Sequence, residues 1–264
     1  MPASPQISFA TPRENVSLDD CNFYHVMDLP GIGQVGSEWD LRANLDAYLG
    51  HADFAGKRVL EIGPASGLLT FTMEKKGAAV TCLELTADKA WEFVPHPDGY
   101  MDPIRAQRRA GTQRRTNGFW LAHKLHGSKA KVYYGEAADI PDALGKFDIA
   151  VLAAVLLHCQ SPARIIEQCA RRSNTLIIVE RYFPELEGKP ECRLVPSADN
   201  KIWDTWWDFS TEFFAQYLGV LGFTDFRKAT HVQLLKGQIT VELFTIVASR
   251  PPAEMLDTSG ELAI

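Results

Sequence analysis

The stretch Arg58–Leu85, RVLEIGPASGLLTFTMEKKGAAVTCLEL, predicts a strand, a glycine turn, a helix and a second strand in succession. Its first residues form a short apolar run typical of a buried strand, and the turn follows at Gly63–Gly67. The next segment, Leu68–Lys76, has helical spacing and is followed by Gly77, which suits a helix C-terminal cap. Ala78–Leu85 is the second strand. This order predicts a βαβ unit of the kind that binds nucleotide-like ligands.

The turn does not have the pattern of the common phosphate-binding loops. A dinucleotide fingerprint places glycine at its first, third and sixth positions, which here hold Gly63, Ala65 and Leu68. No Gly-Lys-Ser/Thr follows, so the Walker pattern is missing as well. Glu61 would repel a phosphate and would suit a ligand with an ammonium group and a sulfonium. S-adenosylmethionine (SAM) is such a ligand, since it has a ribose and an adenine but no phosphate.

The segment resembles motif I of the class I SAM-dependent methyltransferases, whose form is V-L-D/E-x-G-x-G-x-G with an acid about 20 residues later. Glu61, Gly63 and Gly67 match this form. The resemblance implies that they surround the cofactor and that Glu84 binds the two ribose hydroxyls. Ala65 replaces the central glycine and puts a methyl group near the methionine portion of the cofactor. We expect this exchange to be tolerated with a φ angle below zero at Ala65.

The rest of the chain extends this resemblance. Tyr133–Ala137, YYGEA, ends a predicted third strand and is similar to the family's adenine-binding segment, which implies that Glu136 and Ala137 contact the adenine. Phe147–Leu157 is a continuous apolar run that fits a central strand buried on both faces. The remaining predicted elements are a helix that begins at Ser161-Pro162, strands at Thr175–Val179, Phe223–Lys228 and Thr240–Ala248, and a helix over Thr211–Leu221. We expect a Rossmann-like α/β fold, with a seven-stranded, mostly parallel sheet, helices on both faces and an antiparallel last strand.

Composition limits the remaining possibilities. The chain has 264 residues, 46% of them hydrophobic, and a formal net charge of −6, which is compatible with one large core. We expect an N-terminal lid over residues 1–50, a SAM-binding domain over 51–250 with insertions at 91–128 and 181–209, and a C-terminal tail at 251–264. No apolar run spans a bilayer and no signal peptide is recognisable, which favours a cytoplasmic location. The five cysteines lack a C-x-x-C pair, so we expect reduced thiols and no metal site.

Substrate recognition is expected outside the cofactor motifs. The candidate substrate residues are Tyr24, Trp39 and Arg42 in the N-terminal segment, and Trp203 and Trp206 in the insertion before the last helix. Arg42 could meet the cofactor carboxylate or an acidic group of the substrate. A short helix is predicted over Asp40–Leu49, and simple packing of this segment on the sheet is the alternative. For the tryptophans, packing in the core is the alternative to a substrate wall.

A basic segment separates the second and third strands. Five arginines fall within 11 residues, at positions 105, 108, 109, 114 and 115, and Phe119 and Trp120 follow. Cations next to aromatic rings could hold a phosphate or stack a base. A solvated helical face is the simpler interpretation, because the whole chain is acidic.

Methyl transfer from a sulfonium is an in-line displacement, so catalysis requires the acceptor to be held in line with the methyl carbon. His158 follows the fourth strand and is the candidate general base, because a histidine can remove a proton near neutral pH. A histidine that only hydrogen-bonds the backbone is the alternative. His25, His123 and His126 are weaker candidates.

A narrower resemblance concerns the tRNA wobble-uridine carboxymethyltransferases. It rests on Tyr24–Leu29, on Val155–His158 and on Ser161-Pro162. That family uses carboxy-SAM and needs cations for its carboxylate, and the upstream cation has no match here. The favoured hypothesis is therefore a SAM-dependent methyltransferase with a small-molecule acceptor. A tRNA-modifying enzyme, a non-catalytic SAM-binding regulator and an NAD-dependent oxidoreductase are the alternatives.

Overall fold

The computed structural model describes residues 7–89 and 92–251 of the chain. The helices are α1 (Leu45–Tyr48), α2 (Leu68–Lys75), α3 (Asp98–His126), α4 (Pro162–Ala170) and α5 (Thr211–Val220). The strands are β1 (Met27–Leu29), β2 (Gly33–Val35), β3 (Trp39–Asp40), β4 (Arg58–Ile62), β5 (Ala79–Glu84), β6 (Lys131–Tyr134), β7 (Phe147–Ala153), β8 (Ser173–Arg181), β9 (Cys192–Leu194), β10 (Trp207–Phe209), β11 (Asp225–Leu235) and β12 (Ile239–Ser249). The predicted tail lies outside the described residues, apart from Pro251.

The central sheet has the order β3-β11-β12-β8-β7-β4-β5-β6. The five neighbouring strands from β8 to β6 are parallel, and β12 runs antiparallel to β8. The Rossmann-like α/β fold and the antiparallel last strand are therefore confirmed. The described part of the chain contributes eight strands to this sheet instead of seven, because Trp39 and Asp40 pair with Leu235 and Leu234 at its edge. A strand of two residues is too short to show a periodic pattern in the sequence.

Helices cover both faces of the sheet, and alternate residues of each central strand enter different cores. In β4, Val59 lies in the core shared with α2 and α3, and Leu60 lies in the core shared with α4 and α5. Both side chains are fully buried. A parallel sheet covered on both faces accounts for the near-continuous apolar runs of β7 and β8.

Several predicted boundaries are corrected by the structure. The strand predicted over Phe147–Leu157 is β7, which ends at Ala153. The N–H groups of Leu156 and Leu157 donate to the buried Glu180 carboxylate instead of pairing with a strand. The strand predicted to end with Tyr133–Ala137 is β6, which ends at Tyr134, so the Gly-Glu-Ala segment that follows it is a loop. The helix predicted over Asp40–Leu49 is divided into β3, a 3₁₀ turn and α1.

The N-terminal segment packs against α3. Arg114 donates hydrogen bonds of 2.9 Å to the carbonyl oxygens of Asp19 and Cys21. A Cβ at Gly118 would lie 2.7 Å from the Asn22 carbonyl oxygen, so glycine permits the close approach of this segment to the helix. These contacts fix the start of the segment that later crosses the carboxyl ends of the strands.

Candidate functional site

A cavity of about 520 Å³ opens at the carboxyl ends of β4, β5 and β7. This volume is in the usual range for small-molecule sites, and this edge of an open α/β sheet is the usual position for a ligand. Its wall is formed by the turns that follow these strands, by the N-terminal segment and by the inner face of α3. The predicted residues that line it are Tyr24, Trp39, Gly63, Ala65, Glu84, Glu136, Ala137 and His158.

The turn between β4 and α2 forms one side of the cavity. Gly67 has φ +93°, and a Cβ there would also lie 2.3 Å from the Phe71 ring, so this position requires glycine. Ser66 is fully buried, and its Oγ accepts a 3.1 Å hydrogen bond from the Tyr24 N–H. The turn is thereby connected to the N-terminal segment, a contact between residues 42 positions apart that the local sequence pattern does not indicate.

Ala65 does not have the backbone conformation that the sequence analysis assumed. Its φ angle is +52°, in the left-handed region, whereas tolerance of the alanine was expected with φ below zero. This conformation costs a residue with a Cβ about 1–2 kcal/mol. It directs the Ala65 N–H toward the Glu84 carboxylate, where this N–H lowers the pKa of the acid. The turn thus keeps the conformation that glycine would give it.

Glu84 lies at the end of β5 and lines the cavity. Burial raises the pKa of Glu84, and the N–H of Leu85, the guanidinium of Arg115 and the N–H of Ala65 oppose that effect. Its Oε1 accepts a 2.8 Å hydrogen bond from Leu85. A carboxylate held in this way can accept hydrogen bonds from a ligand's hydroxyl groups.

Glu136 and Ala137 lie beyond the end of β6 on the next side of the cavity. The exposed Glu136 carboxylate is 2.8 Å from the Lys89 ammonium. An exposed pair of this kind contributes little to stability. It does, however, bring a donor and an acceptor to the mouth of the cavity.

Glu61 lies beneath the turn, outside the cavity lining. It is 2% exposed, and its Oε2 accepts a 2.5 Å hydrogen bond from the Thr70 hydroxyl. Burial raises the pKa of Glu61 to about 7. This carboxylate connects β4 to α2, and its contact with a ligand's ammonium group stays a prediction.

His158 occupies the 3₁₀ turn Leu156–His158 that follows β7. Its Nδ1 donates a hydrogen bond to the Asp204 carbonyl oxygen, and since a carbonyl can only accept, Nδ1 carries the proton. Nε2 is then the proton acceptor of the ring. Burial lowers the pKa of His158, opposed mainly by the Asp204 backbone and carboxylate, so the ring is neutral at neutral pH.

Glu180, which the sequence analysis did not single out, holds the turn that carries His158. The side chain is 1% exposed and its Oε1 accepts hydrogen bonds of 2.9 and 3.3 Å from the N–H groups of Leu156 and Leu157. Burial raises its pKa to about 8. The available signal was an acid at the end of the apolar strand TLIIVE.

The N-terminal segment covers the cavity with Tyr24, His25 and Trp39. The N–H of Trp39 donates a 3.1 Å hydrogen bond to the Tyr24 carbonyl, which holds the two stretches together. Burial lowers the pKa of His25 to about 4. Arg42 does not line the cavity. Its guanidinium forms an ion pair with the Asp40 carboxylate, with 2.8 Å between Nη2 and Oδ2.

The basic segment forms α3, and its arginines have different environments. Arg108 and Arg115 are partly buried and line the cavity, whereas Arg109 and Arg114 are exposed. The predicted solvent-exposed face is therefore found on only one side of α3. His123 and His126 lie near its end, outside the cavity lining.

The two predicted tryptophans lie behind the cavity wall. The Trp203 ring stacks under Arg108, with 5.0 Å between the guanidinium carbon and the ring centroid. Trp206 is 9% exposed and its indole N–H donates to the carbonyl oxygen of Glu92. Direct contact of either ring with a substrate stays a prediction.

Among residues 7–89 and 92–251, no group of three or more His, Cys, Asp or Glu side chains is placed to hold a metal ion. No helix in the same residues is long and apolar enough to cross a membrane.

Comparison with known proteins identifies the fold and the family. A family model described as a methyltransferase domain matches residues 38–232. The search of curated proteins gave no match. Among solved structures, the N-terminal domain of EvdMO1 with SAH bound superposes with a TM-score of 0.51, at 16% identity over 79% of each chain. Two others are magnesium protoporphyrin IX methyltransferase from Synechocystis PCC 6803 (TM-score 0.46, 16% identity, 77% of this chain and 80% of that chain) and 1,6-didemethyltoxoflavin-N1-methyltransferase from Burkholderia thailandensis (TM-score 0.45, 18% identity, 80% of this chain and 76% of that chain).

Proposed function

Since the chain belongs to the methyltransferase-domain family, we propose that it transfers the methyl group of SAM to a small-molecule acceptor, with His158 as general base. The observation that carries this proposal is that Glu84, at the end of β5, and His158, in the turn after β7, line the same cavity. In this proposal Glu84 would hold the ribose and His158 would act beside the methyl group. The narrower resemblance to the tRNA wobble-uridine enzymes stays a prediction.

The residues present fit SAM better than a dinucleotide. The turn at Gly63 and Ala65 would hold the methionine portion, Glu84 the ribose hydroxyls, and Glu136 with Ala137 the adenine. A carboxylate held in a fixed position can accept hydrogen bonds from both hydroxyl groups of a diol such as a ribose. The chain has neither the second nor the third glycine with which a pyrophosphate loop approaches its ligand.

When bound, SAM supplies an electrophilic methyl group on a sulfonium. His158 receives the acceptor's proton at Nε2, because its Nδ1 already donates to the Asp204 carbonyl. Tyr24 and Trp39 cover one side of the cavity. We propose that residues 21–50 act as a lid, and that the domain over 51–250 carries the site.

Titration of the purified protein with SAM, S-adenosylhomocysteine (SAH), carboxy-SAM and NADH tests the cofactor assignment. We expect micromolar binding of SAM and SAH, and at least about 10-fold weaker binding in Glu84→Ala, which removes a charged hydrogen-bond acceptor. If neither SAM nor SAH bound, the proposal would fail. Tighter binding of carboxy-SAM would instead favour the tRNA-modifying alternative, and NADH binding the oxidoreductase.

The role of His158 is tested by His158→Gln with an acceptor found by screening SAM-loaded protein. We expect a loss of about 100-fold or more in kcat and an unchanged Kd for SAH. The wild-type rate should fall as pH decreases through the lowered pKa of His158, because only the neutral ring accepts a proton. Equal turnover by the variant would remove His158 from the mechanism, and SAM binding without turnover of any acceptor would support a non-catalytic protein.

A further inference from the structure

The cavity has two ends, which follow the order of the strands in the sheet. Glu84 ends β5 and Glu136 follows β6, and these two residues are proposed for the ribose and the adenine. The other end is lined by Leu243 of β12 and by Tyr48 of α1. His158 follows β7, which lies between β12 and β5 in the sheet. A cofactor bound at β5 and β6 therefore leaves the end at β12 for the acceptor.

Aromatic and aliphatic side chains form the wall of the cavity near β12. They are Trp39, Leu41, Tyr48 and Leu243. The two leucines are 1% and 2% exposed. Tyr48 is attached to β12, because its carbonyl oxygen accepts a 3.0 Å hydrogen bond from the Thr245 hydroxyl. A wall of this kind favours a ligand that presents apolar surface.

The hydroxyl of Tyr48 has no hydrogen-bond partner among residues 7–89 and 92–251. The residue is only 4% exposed. The neighbouring His231 is not available, because its ring nitrogens face Thr245 and Gln233 at 2.9 and 3.1 Å. The hydroxyl oxygen is not fully enclosed by the protein, and since Tyr48 lines the cavity, it opens toward that space. Buried polar groups are normally hydrogen-bonded, so a molecule in the cavity is the expected partner.

The charges around this hydroxyl favour an uncharged ligand. Burial raises the pKa of Tyr48, and Tyr24, Glu180 and Glu61 raise it further. The hydroxyl therefore stays protonated and can donate a hydrogen bond. An anion at this end would be buried beside two carboxyl groups, which is unfavourable. The cationic side chains of the lining belong instead to α3 and to the loop after β5.

We propose that the acceptor is an uncharged aromatic hydroxy compound, with its reacting hydroxyl at His158 and a second oxygen that accepts a hydrogen bond from Tyr48. This inference rests on the proposed function. The reacting oxygen gains the methyl group, its proton passes to Nε2 of His158, and the electron pair of the broken carbon–sulfur bond stays on sulfur. The bond from Tyr48 fixes the orientation of the acceptor, which is the main requirement of an in-line displacement.

Calorimetric titration of SAH-saturated protein with three phenols of similar size tests this inference. The probes are para-hydroxyacetophenone, which is uncharged and has a carbonyl oxygen, para-ethylphenol, which lacks that oxygen, and para-hydroxybenzoate, which is an anion. In the wild type we expect the first to bind about 5-fold or more tightly than para-ethylphenol and about 10-fold or more tightly than the anion.

Two variants identify the hydroxyl that is responsible. Tyr48→Phe removes only the hydroxyl, and the preference for para-hydroxyacetophenone over para-ethylphenol should be lost. Tyr217→Phe is the matched control, because the Tyr217 hydroxyl donates to the Ala163 carbonyl at 3.3 Å and does not line the cavity. Both preferences should be unchanged in this control.

SAH is titrated first with each protein, which separates this inference from the cofactor assignment. Absence of SAH binding to the wild type would contradict the proposed function itself. With SAH bound, the inference would be overturned by equal binding of the two uncharged probes, tightest binding of the anion, no binding of any probe, or a preference that survives Tyr48→Phe. The order of the three probes on the wild type decides between these outcomes even where Tyr48→Phe does not fold.

Discussion

At the scale of single residues, the turn between β4 and α2 combines two opposing requirements. Ala65 adopts φ +52°, which is easy for glycine and unfavourable for alanine, and its N–H faces Glu84 in this conformation. The surrounding turn, anchored by the buried Ser66 and by Gly67, holds the residue there in spite of that cost. The sequence shows that the glycine is replaced but does not show which conformation the replacement adopts.

Ala65→Gly should therefore stabilise the protein. We expect the free energy of unfolding to rise by up to about 1 kcal/mol, since relief of the left-handed strain exceeds the added entropy of an unfolded glycine. Urea unfolding measures the change. Ala110→Gly, on the exposed side of α3, is the control and should lose about 0.5–1 kcal/mol. A similar loss in both variants would show that Ala65 is not strained.

At the scale of secondary-structure elements, the link between β8 and the turn after β7 positions the proposed base. Glu180 accepts hydrogen bonds from two successive N–H groups of the turn, and the turn ends at His158. A carboxylate at this point resembles a helix N-terminal cap contributed by a neighbouring strand. The position of His158 thus depends on a side chain 22 residues further along the chain.

The ionisation of Glu180 predicts a pH dependence of stability. Its pKa is about 8 in the folded protein and 4.5 ordinarily, so between these values the folded state binds the proton more strongly than the unfolded state does. The stability of the wild type relative to Glu180→Gln should fall as pH rises from about 5 to about 8. Urea unfolding of both proteins across this range tests it. Parallel stability curves would contradict a raised pKa.

At the scale of the whole molecule, the segment that covers the cavity combines packing in the core with hydrogen bonds to the turn, whereas most residues of the central strands are buried. The N–H groups of Tyr24 and His25 face the Ser66 hydroxyl at 3.1 and 3.5 Å. A ligand in the turn would stabilise these contacts, because binding lowers the population of locally open states.

Hydrogen exchange should show this coupling. With SAH bound, we expect residues 24–39 to exchange more slowly, while β4, β7 and β8 are strongly protected with or without the ligand. Mass-spectrometric exchange on the wild type and on Glu84→Ala, which should show no gain, provides the comparison. Unchanged exchange of residues 24–39 in a protein that binds SAH would argue against a lid.

Prediction from the sequence succeeded where the signal is local. The elements β4, α2 and β5 begin and end within about one residue of their predicted limits, because an apolar run, a glycine turn and a terminal acid occur within one continuous segment. The mostly parallel sheet with an antiparallel last strand followed from the family resemblance together with the strand pattern. The hairpin of β1 and β2, the bond from Tyr24 to Ser66 and the role of Glu180 were missed, since each depends on short strands or on distant parts of the chain.

The packing of the N-terminal segment on α3 has a consequence for how such an enzyme could diversify. The same helix carries Arg108 and Arg115 toward the cavity and binds the segment through Arg114 and through the close approach at Gly118. Because the two parts are in contact, a change in one of them is expected to displace the other. New acceptors are therefore best sought by exchanging residues 18–41 and α3 between homologues as one cassette, rather than by grafting either part alone.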